Sequence, residues 1–420
     1  MRPLSGRTLK TDAAMRWAGN WFNDRNRTLF TLLIIGALVF PAVADVTTGG
    51  EGNHLINTAA DAGVFVLLAL GLNVVVGFAG LLDLGYAAFF AIGAYTYGMF
   101  ASGQLLASPL HHEFHIPFWV MLFVGVGVAA CFGVILGAPT LRLRGDYLAI
   151  VTLGFGEIVP LVVQYLGAGS PIGNWTSGVN GIGAIDPPKL PYFLTGPWVG
   201  APIGLVKNFD FTGSVAYPMD FYALMLVLVA ICVVLATNLY NSRLGRAWMA
   251  VREDEVAAAA SGVNTVAVKL LAFAIGASFA GFAGCYYGAK LSLVSADNFH
   301  FIVSVTILIM VVLGGMGNIP GVIVGALLIY VTQFFVLTNL PDWTQALANA
   351  VGLSGLNQSH GDWVGLRNEV QRLNYLIFGL ILVIVMVLRP QGLFPSRIRE
   401  QELEKGTEEQ AVFDLREDET

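Results

Sequence analysis

Charged residues are scarce in this sequence. Only 12% of its 420 residues are charged, while 56% are hydrophobic and the mean hydropathy is +0.70. An ordinary soluble domain carries about 25% charged residues. A soluble chain of this length would need enough charge to cover about two or three domains. The composition therefore excludes a soluble protein, and the apolar content also excludes a disordered one. A polytopic membrane protein remains.

Cysteine and catalytic motifs are scarce as well. The three cysteines, Cys131, Cys232 and Cys285, all fall inside apolar runs, which excludes a disulfide scaffold. The sequence has no G-x-x-x-x-G-K-[ST], no H-E-x-x-H and no G-x-S-x-G. We therefore expect no enzyme activity and no cofactor or metal site in this chain. No basic patch with interleaved aromatics is present, so nucleic-acid binding is not predicted either.

The net charge of −6 is concentrated at one end of the chain. Residues 400–420 hold nine acidic and two basic residues, a net of −7, so the other 399 residues sum to about +1. This end has few large apolar residues, which is typical of disorder. We interpret 1–28 as a cytoplasmic N-terminal extension, 29–394 as a transmembrane domain and 395–420 as an acidic, disordered cytoplasmic tail.

Long apolar runs predict an all-α fold with about ten transmembrane helices. A helix needs about 20 apolar residues to cross the hydrocarbon core. The runs that fit lie at about 29–46, 59–77, 84–103, 117–138, 147–167, 219–238, 266–288, 301–313, 320–338 and 374–388. We expect their outer faces to contact membrane lipid. Ala42-Val43-Ala44 also fits a signal-peptidase site, so cleavage of the first span stays open.

The distribution of Lys and Arg predicts the orientation. With ten spans and a cytoplasmic N-terminus, both termini lie inside, and the inner segments hold 17 of the 22 basic residues. A change of one span would destroy this agreement. The sequence therefore predicts a multi-pass membrane protein with both termini in the cytoplasm.

A glycine-rich break separates the second and third runs. Gly77, Gly80 and Gly85 surround Asp83, and Asn73 lies just before them. Irregular backbone is tolerated at membrane depth only where protein buries it or where it lines a cavity. Asn73 and Asp83 are therefore candidates either for capping a broken helix or for lining a substrate pathway. A second glycine-rich break, at 314–321, resembles the first weakly and suggests an internal repeat.

One acidic residue, Glu157, falls near the middle of a predicted span. Ionisable groups at that depth are costly unless they are paired or hydrated, and they often mark functional sites. Gln164, seven residues on, shares the same helix face. Both residues are candidates for the substrate pathway. The alternative is that Glu157 holds two helices together.

The segment 239–264 is unusually charged for this chain. It contains Arg246 and the run Arg252, Glu253, Asp254 and Glu255, followed by an Ala-rich stretch that favours helix. Gly262 with Asn264 is a plausible helix end. We expect a short cytoplasmic helix, with the four charges of the run 252–255 exposed, on which a partner protein can dock. The alternative is an ordinary surface loop.

Six segments together resemble the LivM permease subunits of branched-chain amino acid ABC importers. They are 71–95, 146–157, 176–183, 245–255, 314–321 and 388–394, and the resemblance covers about 55–395. It implies inward transport of leucine, isoleucine and valine by a complex with a LivH-like second permease. It also implies two ATPase subunits, LivG- and LivF-like, which hydrolyse ATP, and a periplasmic amino-acid-binding protein.

The resemblance implies that 245–262 is the element that couples to an ATPase, with Arg246, the charged run 252–255 and Gly262 in that role. This segment departs from the Glu-Ala-Ala-x-x-x-Gly pattern of many importers, since Gly262 would set its Glu at Val256. The rival readings are a urea-transport permease of the UrtC type, a secondary transporter and an integral membrane enzyme. A secondary transporter should carry an ion relay, and a membrane enzyme should cluster His, Asp or Lys at one membrane face.

Overall fold

The structure is a computed structural model, which describes residues 25–48, 52–140, 146–167, 169–188, 218–351, 365–388 and 392–394. The predicted N-terminal extension lies outside these residues except for 25–28, and the predicted acidic tail lies wholly outside them. The chain divides into two compact units, with the boundary between Ala59 and Ala60.

Helices dominate both units. They are α1 (Arg25–Thr48), α2 (Asn53–Leu72), α3 (Tyr86–Phe100), α4 (Phe118–Thr140), α5 (Asp146–Tyr165), α6 (Pro218–Asn241), α7 (Arg243–Glu253), α8 (Glu255–Ala260), α9 (Thr265–Leu291), α10 (Phe301–Gly314), α11 (Ile319–Tyr330), α12 (Leu337–Ala350) and α13 (Leu366–Leu388). Short 3₁₀ turns lie at Gly103–Leu106, Gly178–Asn180 and Ala296–Phe299. The prediction of an all-α polytopic fold is confirmed.

Among the described residues, eight helical segments are long and apolar enough to cross a membrane. They are Thr28–Val46, Asn53–Phe78, Phe118–Pro139, Tyr147–Tyr165, Pro218–Asn241, Thr265–Leu291, Ala296–Gly314 and Ile319–Ala350. The other two runs predicted to span, 84–103 and 374–388, fall on α3 and α13, which are helical but outside this set. The count of ten and the side on which the termini lie stay predictions.

The core of the second unit forms where α9 packs against α4 and α3. Glycine allows this close approach, since a Cβ on Gly93 of α3 would lie 2.5 Å from the Cα of Gly281 on α9. Further along α9, Cys285 and Tyr286 are completely buried. Because protein surrounds most of α3, this 15-residue helix does not need the length of a lipid-facing span.

Two small antiparallel pairs of strands close the end of the bundle where α3 and α9 finish. β1 (Ala101–Ser102) pairs with β2 (Phe114–His115), and β3 (Ile182–Gly183) pairs with β4 (Leu293–Val294). The second pair joins the segment after α5 to the segment after α9. These loops are therefore fixed to the helices that they connect.

Two segments have π-helical geometry, which is rare and often occurs at functional sites. Asn73–Phe78 continues α2, and Val331–Val336 joins α11 to α12. The first of these coincides with the glycine-rich break that the sequence predicts.

Candidate functional site

The π segment Asn73–Phe78 meets the second glycine-rich break. The Asn73 side chain is completely buried, and its Oδ1 accepts a hydrogen bond of 2.9 Å from the Gly317 amide. Gly77 has to be glycine, because a Cβ there would lie 2.0 Å from the same Oδ1 and 2.7 Å from the Gly317 nitrogen. The Asn73 side chain at the first break therefore caps a backbone amide of the second break. This is the arrangement of the capping alternative.

The charged segment 239–264 reaches the same π segment through Arg252. The guanidinium Nη1 donates to the carbonyl oxygen of Gly77 at 2.6 Å, and Arg252 is half-buried. Its aliphatic stem covers Gly80, which has φ of +69° and where a Cβ would lie 2.7 Å from the Arg252 Cγ. The Arg252 side chain therefore packs on the break and hydrogen-bonds within it.

Two short helices, α7 and α8, make up the segment that was predicted as one helix. Asp254 separates them, and its Oδ1 accepts from the amides of Val256 and Ala257 at 2.8 and 3.0 Å, as an N-cap does. On α7, the Trp248 indole is completely buried and donates to the Val268 carbonyl at 2.7 Å. This bond fixes α7 to the first turn of α9.

The expectation of four exposed charges is correct for Glu253 and Asp254 and wrong for Arg252 and Glu255. Glu255 is half-buried because its Oε1 pairs with the Lys269 ammonium at 2.6 Å, and the Lys269 side chain is only 9% exposed. Arg252 is drawn in by the Gly77 carbonyl. Two of the four charges therefore bind the membrane domain itself.

The outer surface of α8 is mostly apolar. Val256 is 69% exposed, and the side chains of 257, 259 and 260 are exposed alanines. Gly262 ends the helix with φ of +86°, as the sequence predicted, and a Cβ there would meet no atom within 4 Å. Arg246 is exposed, and its Nη1 donates to the nearby Asn241 carbonyl at 3.1 Å.

Asp83 lies in the loop before α3 and is completely buried. Its Oδ1 accepts from the Gly85 amide at 2.9 Å, while Oδ2 has no hydrogen-bond partner among the described residues. Burial raises the pKa of Asp83 to about 6, and the neighbouring polar groups of Gly85 and Thr152 lower it by less. A small cavity beside it, lined mainly by apolar side chains, holds no more than about one water molecule. Asp83 therefore caps the chain reversal that begins α3.

Glu157 on α5 bonds to the start of α10. Its Oε1 accepts from the Phe301 amide at 3.0 Å, and the N-cap residue of α10, His300, makes no capping bond with its own side chain. A carboxylate at a helix N-terminus satisfies an orphan N–H and interacts favourably with the helix dipole. This geometry is the alternative in which Glu157 holds two helices together.

Gln164, the fourth pathway candidate, is half-buried near the end of α5, where its backbone carbonyl accepts from the Gly167 amide at 3.4 Å. The structure therefore joins Asn73 to Arg252 through Gly77. The recorded hydrogen bonds do not connect Asp83, Glu157 or Gln164 to that cluster. A lining role for these residues stays a prediction.

The sequence analysis missed one buried ion pair. Lys290 Nζ on α9 donates to Asp61 Oδ1 on α2 at 2.5 Å, and the Lys290 side chain is only 5% exposed. The rule that singled out Glu157 applies equally to Asp61, an acidic residue inside a predicted apolar run. Lys290 lies just beyond the predicted run 266–288, where a positive charge is ordinary and gives no signal of a buried pair.

Comparison with known proteins decides the family. Residues 54–386 match the family model described as the permease component of branched-chain amino acid transport systems. The chain belongs to this family. It is 36% identical to the LivM permease of the high-affinity branched-chain amino acid transport system of Escherichia coli K12, over 89% of this chain and 77% of that protein.

More distant relatives extend the permease family. The chain is 24% identical to a probable LivM of Methanocaldococcus jannaschii, over 80% of this chain and 91% of that protein. It is also 24% identical to LivH of E. coli K12, over 67% of this chain and 84% of that protein. No solved structure matches the chain at a significant level. The resemblance to LivM is thus confirmed, and the chain is a multi-pass membrane permease.

Proposed function

We propose that this permease is a membrane-spanning subunit of a bacterial inner-membrane ABC importer for branched-chain amino acids. Its relatives carry that substrate in their names. The proposal includes ten spans, with α3 and α13 added to the eight long apolar segments, and both termini in the cytoplasm. It also includes a LivH-like second permease, two ATPase subunits that hydrolyse ATP, and a periplasmic binding protein.

The observation that carries the coupling role is the attachment of α7 and α8 to the membrane domain. Arg252 bonds to the Gly77 carbonyl, and Glu255 pairs with Lys269. On the other side, Val256 and the neighbouring alanines of α8 are open to solvent. A partner that binds this apolar surface can therefore move a segment that is bonded to the break in the membrane domain.

The bonds suggest a path for the coupling. Movement of Arg252 shifts Gly77, and Gly77 lies against the Asn73 side chain that caps Gly317. The ATPase would therefore act on α2 and on the turn between α10 and α11 together. Glu253 and Asp254, which are exposed, are available to basic groups of the ATPase.

Reconstitution tests the proposal. The permease is co-expressed with the candidate partner subunits, purified by a tag on this chain and placed in liposomes with the binding protein. Leucine uptake that needs ATP, both ATPases and the binding protein supports it. Uptake of urea in place of leucine would favour the UrtC-type alternative, and uptake driven by an ion gradient without ATPases would favour a secondary transporter.

A further inference from the structure

A buried ion pair joins two helices outside the coupling cluster. Lys290 of α9 and Asp61 of α2 are separated by 2.5 Å, with side chains 5% and 29% exposed. Asp61 is the ninth residue of α2, roughly 12 Å along that helix. Both residues lie within apolar segments long enough to cross a membrane. Ionisable groups in such segments are expensive and usually functional.

A purely structural tie explains this pair poorly. A buried ion pair pays a desolvation cost that can exceed the attraction between its charges, and apolar residues of similar size often stabilise as well or better. The Asp61 carboxylate is also partly open, whereas the Lys290 ammonium is enclosed. A partly open carboxylate next to an enclosed ammonium is suited to receive a ligand that carries both charges.

Aromatic rings flank the Asp61 side of the pair. Phe65 lies one turn after Asp61 on the same face of α2. Its ring centroid is 5.4 Å from that of Tyr330 and 5.3 Å from that of Phe334. Tyr330 and Phe334 stack at 4.7 Å, and Phe334 is 41% exposed. These rings present an apolar surface beside the carboxylate.

More rings flank the Lys290 side. Tyr287 lies one turn before Lys290 on the same face of α9. The Tyr287 ring is 5.1 Å from Phe90 and 6.2 Å from Phe299. Tyr95 continues this set through Phe299, at 6.0 Å. The pair therefore lies between two groups of aromatic side chains.

Two polar atoms in this region have no partner among the described residues. The Tyr95 hydroxyl is buried in a residue only 5% exposed, and the Gln333 Oε1 is buried in the π segment Val331–Val336. Tyr330 immediately precedes that segment and Phe334 is part of it. Buried polar atoms usually have a hydrogen-bond partner, and a bound ligand is one way to supply it.

We propose that the Asp61–Lys290 pair and the adjacent rings of Phe65, Tyr287, Tyr330 and Phe334 form a transient site for an amino acid zwitterion. The Asp61 carboxylate pairs with the α-ammonium group, and the Lys290 ammonium pairs with the α-carboxylate. The rings contact the aliphatic side chain. The inserted zwitterion replaces one ion pair by two, so no charge is left unpaired. This inference rests on the proposed function, because it takes an amino acid as the transported molecule.

The first test removes the charge and keeps the shape. Asp61→Asn is compared with wild type in liposomes that contain the complete complex and binding protein. We expect leucine uptake per ATP hydrolysed to fall about ten- to hundredfold, because a hydrogen bond to a charged group is lost.

Asp342→Asn is the matched control, because Asp342 forms an exposed pair with Arg367 at 2.9 Å. It should transport leucine as wild type does. Wild-type uptake per ATP in Asp61→Asn would overturn the inference and leave the proposed function intact. If wild type itself takes up no leucine, the proposed function fails instead. If Asp61→Asn does not assemble, the second variant, which keeps the ion pair, decides between the site and a structural tie.

The second variant, Phe65→Ala, keeps the ion pair and enlarges the apolar part of the site. We expect phenylalanine to compete better against labelled leucine than it does in wild type, when both amino acids are bound by the same binding protein. A structural role of Phe65 would lower all uptake without changing this preference. An unchanged ratio of phenylalanine to leucine, in a complex that assembles normally, would therefore overturn the inference.

Discussion

The guanidinium of Arg252 donates a hydrogen bond of 2.6 Å to the carbonyl of Gly77, a residue 175 positions earlier in the chain. Gly77 belongs to a π segment, where the backbone hydrogen bonds are already irregular. The short helix α7 is thus bonded directly to the π segment that continues α2. This bond gives a physical route between the proposed ATPase surface and the membrane domain.

Removal of the Arg252 side chain should uncouple ATP hydrolysis from substrate. A hydrogen bond to a charged group contributes about 1.5–3 kcal/mol, so Arg252→Ala should lower the stimulation of ATP hydrolysis by loaded binding protein about tenfold or more. Arg252→Lys should restore little, because an ammonium cannot reproduce the reach and packing of the guanidinium. Stimulated hydrolysis by the reconstituted complex is the measurement.

Arg246→Ala is the control for this experiment, since Arg246 is also on α7 but bonds to the neighbouring Asn241 carbonyl. It should leave the ratio of stimulated to basal hydrolysis close to that of wild type. Equal loss in both variants would show that charge on α7 matters and that the bond to Gly77 does not. The co-purified amount of ATPase tells coupling apart from docking.

Gly77→Ala should damage the same route from the other side. The added Cβ would lie 2.0 Å from Asn73 Oδ1 and 2.7 Å from the Gly317 amide. Overpacking of this kind costs about 1–3 kcal/mol, so we expect a lower melting temperature in detergent and weaker coupling. Gly127→Ala on α4 meets no atom within 4 Å and should be neutral or stabilising. A normal melting temperature for Gly77→Ala would contradict the packing at the break.

The stability of the permease should depend on pH through Asp83. Burial raises its pKa from 3.8 to about 6, so the folded state holds the proton more tightly than the unfolded state does. The stabilisation by this proton is complete below the ordinary pKa of 3.8 and is lost as the pH rises through about 6. Between about pH 5 and pH 8 the loss is on the order of 1 kcal/mol.

Asp83→Asn tests this pH dependence, because an amide side chain is neutral at both about pH 5 and about pH 8. Its oxygen can still accept from the Gly85 amide. Its melting temperature relative to wild type should be higher at about pH 8 than at about pH 5. Asp342→Asn, which changes an exposed carboxyl, should show no such trend. A difference between Asp83→Asn and wild type that is independent of pH would mean that the carboxyl titrates normally.

Sequence reasoning found the long helices because a helix needs about 20 apolar residues to cross the hydrocarbon core, and such runs are visible in the sequence. The runs at 219–238 and 266–288 became Pro218–Asn241 and Thr265–Leu291. It also found the break at 73–85, because glycines clustered around polar residues favour irregular backbone over a continuous helix. It could not assign the partners of that break, because Gly317 and Arg252 are joined to it only by the tertiary fold.

The exposure of the charges at 252–255 shows the same limit of local patterns. A run of four charges predicts a solvated surface, yet Arg252 and Glu255 turn toward a carbonyl and a lysine of the membrane domain. The lysine, Lys269, is in the first turns of α9, and nothing local in the sequence pairs it with Glu255. The pairing of Asp61 with Lys290 could not be predicted for the same reason, since the two residues are 229 positions apart.

Glu157 gives the clearest separation between a structural and a transport role. Its carboxylate caps α10 through the Phe301 amide, so Glu157→Ala should lose a capping bond of about 1 kcal/mol and lower the melting temperature. Glu157→Gln keeps an acceptor oxygen and loses only the interaction of the charge with the helix dipole, about 0.3–1 kcal/mol. We therefore expect Glu157→Gln to fold normally, and slower leucine transport by this variant would support the predicted pathway role. Ile158→Ala, at a neighbouring position that is 49% exposed, is the control for a change on this helix. Normal transport and normal expression of Glu157→Ala would mean that Glu157 neither lines the pathway nor holds α5 to α10.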